Sequence, residues 1–114
     1  MTTMNAIAQK LENISLKGGM RLIDVANVLQ TRPETVSRWN QGKAFPHPTN
    51  ERQLLALEWI VEKLADFYTP QEARLWLFSR QKLLDGKTPV ELIADDKSEV
   101  VLALIAQLRE AVFA

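Results

Sequence analysis

With 114 residues, 46 % of them hydrophobic and 25 % charged, the chain can bury one apolar core and is neither disordered nor fibrous in composition. It has no cysteine, which excludes a disulfide framework and a thiolate zinc site and suits a reducing, cytoplasmic setting. The net charge of zero conceals a division: residues 1–48 hold six Lys/Arg against three acidic residues, and residues 49–114 hold eight against eleven. A front of +3 and a rear of −3 suggest a nucleic-acid-facing part followed by a part that meets a different partner.

The opening MTTMNAIAQK has neither the basic start nor the apolar run of a secretory signal, and no stretch approaches a membrane span. A first helix is expected from Thr3 to about Leu16, with Met4, Ile7, Leu11 and Ile14 on one stripe and Gly18-Gly19 as its stop. The segment LIDVANVLQTRPETVSRWNQ (residues 22–41) then reads as two short helices joined by a tight turn. Leu22, Val25, Ala26 and Leu29 line one face of the first, and Pro33 fits the first turn of the second, where a missing N–H is harmless. In the second helix Val36 and Trp39 point inward together. This leaves Glu34, Thr35, Ser37, Arg38 and Gln41 outward, with Arg32 and Lys43 at either end. An outward polar and basic face held by an inward apolar pair is what reading a major groove requires, and Arg38 could meet a guanine edge or a phosphate.

Gly42 and Phe45-Pro-His-Pro48 make a rigid loop. Thr49 or Asn50 is expected to cap a long helix running to about Phe67. Its apolar stripe (Leu54, Leu57, Val61, Leu64, flanked by Leu55, Trp59 and Ile60) is too wide for a single neighbour. Thr69-Pro-Gln-Glu72 and Thr88-Pro-Val-Glu91 are capping boxes with Pro at the first helical position, and Asp85-Gly86-Lys87 is a turn between them. A last helix opens at Asp95, Asp96 or Ser98, with Val100, Val101, Leu104, Ile105, Leu108 and Val112 as its apolar side. No alternating strand pattern occurs, so the class is all-α.

Two motifs carry a family resemblance: VSRWNQGKAFP (Val36 to Pro46) and, more narrowly, ARLWLFSRQKLLDGKTPVELI (Ala73 to Ile93). Over about Asn5 to Ala114 the chain resembles the Xre/MbcA/ParS-type antitoxins of bacterial toxin–antitoxin operons, whose partners are RES-domain toxins. The resemblance implies an N-terminal Xre-like helix-turn-helix part, residues 1–48, and a C-terminal helical part, residues 49–114, for dimerisation and toxin binding. It further implies a toxin that degrades NAD and is silenced when the antitoxin covers its active-site cleft. Repression of the antitoxin's own operon, and a homodimer within a larger toxin–antitoxin complex, follow from the same resemblance. The chain departs from the Xre-like pattern at two positions. Gln30 stands where the turn usually has Gly, and Arg32 stands where a Ser cap is usual, so capping passes to Thr31.

Trp76, Arg80, Lys82, Leu83, Leu84 and Lys87 are the candidate toxin contacts in the second motif, with Val112, Phe113 and Ala114 at the chain end. Two apolar groups at a terminus are better explained by a receptor than by solvent, the alternative being that both fold back onto the protein's own core. Trp39, Trp59 and Trp76 read as core or interface anchors.

Other chemistry finds no support. His47 is the sole histidine and has no second metal ligand or nucleophile nearby, so it reads as a loop residue. Ser37 and Ser79 lack a nucleophile-elbow setting, and Gly86-Lys87-Thr88 lacks the preceding glycine of a phosphate loop. Asp95-Asp96 reads as a solvated helix start. No cofactor or metal is expected, and an enzyme built on Lys87, Asp85 and His47 has no constellation behind it. The remaining alternative is a stand-alone transcription regulator whose C-terminal helices only dimerise.

Overall fold

The computed structural model describes residues 5–113 and is all-helical: α1 (Ala6–Gly18), α2 (Leu22–Leu29), α3 (Pro33–Asn40), α4 (Pro48–Leu64), α5 (Pro70–Leu77), a short 3-10 turn (Lys82–Leu84), α6 (Pro89–Ala94) and α7 (Ser98–Phe113). The expected start of the first helix at Thr3 and Met4 lies outside the described residues. Within them, Asn5 caps α1 by accepting the Ala8 N–H at 2.8 Å, and Gly19 closes it in a left-handed conformation. Among the described residues no helix is long and apolar enough to cross a membrane.

The ends of the helices are set by local chemistry. α2 ends in a Schellman closure: Gln30 takes φ 57° and the Thr31 N–H reaches back to the Ala26 carbonyl at 2.9 Å. Gln30 thus takes the left-handed conformation that usually goes to glycine. α3 ends the same way, with Gly42 at φ 75° and the Lys43 N–H on the Arg38 carbonyl at 2.9 Å. Both expected capping boxes form, Thr69 with Glu72 and Thr88 with Glu91. At α3 the N-cap is Arg32 and no side chain caps it, so Thr31 does not take over that role.

Two expectations for α4 are corrected. It begins one residue before Thr49, at Pro48, because the His47 Nδ1 accepts the Thr49 N–H and proline fits the first helical position. Asn50 instead donates to the Leu29 carbonyl, tying α4 to the end of α2. α4 also stops at Leu64 rather than Phe67, where the chain turns and the Tyr68 N–H bonds the Leu64 carbonyl.

One apolar core runs through both stretches of the chain. Ile7, Leu11 and Ile14 of α1, Val25 and Leu29 of α2, and Val36 and Trp39 of α3 join Leu54, Leu57, Val61 and Leu64 of α4, Leu77 of α5, Ile93 of α6 and Ile105 of α7. α1 packs so closely on α4 and α5 that a Cβ on Gly18 would sit 2.6 Å from Val61, and one on Gly19 2.8 Å from the Pro70 carbonyl oxygen. The buried Asp24 of α2 pairs across the fold with Arg74 of α5 at 2.7 Å and with its neighbour Arg21 at 3.3 Å. Burial alone would raise the Asp24 carboxyl. The Arg21 backbone N–H, the Arg21 side chain and Arg74 outweigh that and hold it below its ordinary value of 3.8.

Candidate functional surfaces

The first surface is the outer face of α3. Val36 and Trp39 are both buried, so the sequence assignment of Trp39 to the core holds and the pair seats the helix on that core. Arg32, Glu34, Arg38, Gln41 and Lys43 are exposed, and Thr35 and Ser37 are half-buried between them. Glu34, Ser37, Arg38 and Gln41 line a shallow open groove with Leu22 and Pro33. The Gln41 amide donates to the Ser37 hydroxyl at 3.3 Å, so these two side chains present as a unit. Because the Schellman closure bonds the Lys43 backbone to that of Arg38, two cations are held at the same end of the helix.

The second surface runs from α5 through the 3-10 turn. The Gln81 side-chain amide donates to the Trp76 and Ser79 carbonyls, and Gln81 and Lys87 form an isolated antiparallel bridge. These bonds close residues 79–87 into a fixed loop, with Asp85 and Gly86 both left-handed at its tip. Trp76 is half-buried against the core. Of the two adjacent leucines, Leu83 is 72 % exposed and Leu84 only 6 %. The expectation that Leu84 offers a contact is therefore corrected: it anchors the loop from inside and Leu83 alone projects. Arg80 and Lys82 are exposed on the same loop. Lys87, also exposed, lines a cleft of about 330 Å³ with Gln30, Phe78, Val90 and Glu91, between the end of α2 and α6.

The third surface is the end of α7. Val112 and Phe113 are 57 % and 60 % exposed and do not fold back onto the core. Ala114 lies outside the described residues. Arg109 ties this end down: its guanidinium stacks over Phe113 at 5.5 Å and pairs with Asp66 just beyond α4. Trp59, read from sequence as a core or interface anchor, is more than half exposed on α4 with Lys63 above its ring at 4.7 Å, facing α7 across a groove.

The cations chosen from sequence share a property. Among the described residues, Arg32, Arg38, Lys43, Arg80, Lys82 and Lys87 make no salt bridge, nor do Lys63 and Lys97, whereas Lys10, Lys17, Arg52, Arg74 and Arg109 each pair with a carboxylate far away in sequence. Sequence reasoning missed several projecting groups, among them Leu75 on α5 and Phe45 between α3 and α4. Leu75 was within reach of it: in an α5 that buries Ala73 and Leu77, a residue two positions after Ala73 must face away.

Comparison with known proteins gives a consistent result. The mycobacterial cidal antitoxin MbcA, from both Mycobacterium bovis and Mycobacterium tuberculosis, is 29 % identical over 110 residues, covering 96 % of this chain and 97 % of the relative. A second Mycobacterium tuberculosis protein, named a probable mycobacterial cidal antitoxin, is 36 % identical over 83 residues, 73 % of this chain and 70 % of its own. One chain of the crystal structure of the M. tuberculosis MbcT–MbcA toxin–antitoxin complex superposes with a TM-score of 0.83 at 29 % identity, covering 96 % of this chain and 99 % of that one. No family model matches the chain.

Proposed function

Because this chain belongs to the family of the mycobacterial cidal antitoxin MbcA, we propose that it is an antitoxin that neutralises a NAD-degrading RES-domain toxin by covering its active-site cleft. The observation that carries this reading is the pair of exposed apolar groups at the end of α7, Val112 and Phe113, with the Arg109 guanidinium over the Phe113 ring. Burying a phenylalanine is worth roughly 1.5–3 kcal/mol, so a partner surface gains what solvent forgoes. On the second surface, Trp76, Arg80, Lys82, Leu83 and Lys87 supply an aromatic anchor, a projecting leucine and cations without carboxylate partners.

In the same reading residues 1–48 carry a helix-turn-helix that represses the antitoxin's own operon, with Arg32, Glu34, Thr35, Ser37, Arg38, Gln41 and Lys43 toward operator DNA. Residues 49–114 carry the toxin and a second copy of the chain. Exposed Leu55 and Trp59 are the apolar part of α4 available for that copy, and light scattering on the isolated protein would detect the dimer.

The test is truncation. A chain ending at Glu110 loses Val112 and Phe113 and should fail to protect NAD from the co-purified toxin, while melting as a folded protein and retaining operator binding. Full protection by the folded truncated protein overturns occlusion by the α7 end and moves the inhibitory contact to Trp76–Lys87.

A further inference from the structure

Phe45 is 82 % exposed, more than any other large hydrophobic side chain of the described residues, and the backbone around it gives it no freedom to hide. On one side, Gly42 closes α3 in the left-handed conformation with the Lys43 N–H bonded to the Arg38 carbonyl. Ala44 packs against the core and Pro46 is buried, so both neighbours of Phe45 point inward. A residue before proline is confined to extended backbone, and in an extended chain side chains alternate faces. Phe45 is therefore driven outward by its two inward-facing neighbours. On the far side, His47 caps α4 and Pro48 starts it, which fixes the exit of the loop. A single exposed apolar residue on a mobile loop needs no explanation. A phenylalanine clamped at the tip of a pinned loop is a presented group.

What it is presented to follows from its surroundings. From Thr35 to Asn50 the chain carries Arg38 and Lys43 and not one carboxylate. Both cations make no salt bridge among the described residues, and the loop leaves directly from the end of α3. An aromatic ring beside unpaired cations, at the edge of a polar helix face, matches a polyanion whose grooves are walled by sugars and thymine methyl groups. A protein interface would more often surround the ring with apolar groups.

We propose that Phe45 makes an apolar contact with the groove of duplex DNA next to the site occupied by α3, and that it adds affinity without neutralising phosphate. The proposal rests on the reading of α3 as the DNA-facing helix, and its experiment separates the two. Full-length protein is titrated onto duplex DNA spanning the region upstream of its gene, at a series of salt concentrations. Wild type should bind with affinity falling steeply with salt. Phe45→Ala should bind roughly tenfold more weakly at every salt concentration, leaving the slope of log affinity against log salt unchanged, because no counterion contact is lost. Lys43→Ala should instead make that slope shallower by about one. Since Phe45 is solvent-exposed, the variant should melt as wild type does.

If wild type fails to bind this DNA at low salt, the reading of α3 falls and the inference falls with it. If wild type binds and Phe45→Ala binds equally well, the role of Phe45 alone is wrong. Intact DNA binding with weakened toxin protection in Phe45→Ala would assign the ring to a protein contact and equally overturn the proposal.

Discussion

The α3 surface and the α5-to-3-10 surface are both presented rigidly, but they are made of different material. On α3 the outward side chains other than Pro33 are polar or charged, and the inward apolar ones, Val36 and Trp39, are spent entirely on holding the helix. On the second surface apolar groups project: Leu75 on α5 and Leu83 on the loop are mostly exposed, Arg80 and Lys82 are exposed on the same loop as Leu83, and Trp76 is half-buried. A charged polymer is met by unpaired cations and hydrogen-bonding side chains, whereas a protein partner is met by apolar anchors with a polar rim. The difference lies in what the outward groups can desolvate, and it argues for two partners rather than one extended partner.

The largest effect should come from spoiling the apolar surface. Leu75→Asp with Leu83→Asp places carboxylates where a partner would exclude water. The double variant should weaken toxin binding by roughly hundredfold, as central apolar anchors of an interface do. Both side chains are mostly exposed, so stability and operator binding should be unchanged. Isothermal titration with toxin and a DNA titration check both halves. A parallel loss of DNA binding would break the contrast between the two surfaces.

Next in size is the link between them. Asp24 of α2 is buried against Arg74 of α5, and removing the carboxylate leaves Arg74 half-buried without its partner. Asp24→Ala should cost about 2–3 kcal/mol of stability. The sign of the pH dependence follows from the lowered carboxyl of Asp24. The stabilisation is fully present above the ordinary carboxylate value and is lost as pH falls through the lower folded-state value. Denaturant titrations should therefore show the gap between wild type and Asp24→Ala at neutral pH and its narrowing as pH drops below about 4. Because the pair joins α2 to α5, both binding activities should decline together on warming, in contrast to the leucine variant.

What was legible in the sequence is what is locally determined. The two capping boxes, the glycine stop of α1 and the inward pair Val36 and Trp39 each depend on residues three or four apart, where helical geometry leaves no choice. Leu83 and Leu84 were not separable: in a 3-10 turn between two loops no periodicity says which of two adjacent leucines faces inward, and in the folded loop it is Leu84. His47 escaped notice as a cap because an imidazole accepting a backbone N–H from two residues on is an uncommon substitute for Ser, Thr or Asp. Trp59 lay on a stripe correctly read as too wide for one neighbour. That reading says some of the stripe must be left over, not which residue.

The smallest effect concerns the turn that presents α3. Gln30 sits at φ 57°, a conformation that costs a side-chain-bearing residue roughly 1 kcal/mol, and glycine removes that cost. Glycine also makes the unfolded chain more flexible, which returns part of the gain. Gln30→Gly should therefore stabilise the protein by only about 0.5 kcal/mol, a rise of a few degrees at most in Tm. If the turn acts only as a hinge pin for α3, operator affinity should not move. The informative alternative lies in the cleft: Gln30 shares its wall with Lys87 and Phe78, at the border of the second surface. If thermal melting shows Gln30→Gly to be less stable than wild type, the Gln30 side chain contributes more there than its backbone strain costs. The strained turn would then be part of the contact between the α3 region and the α5–α6 region rather than a tolerated departure from glycine.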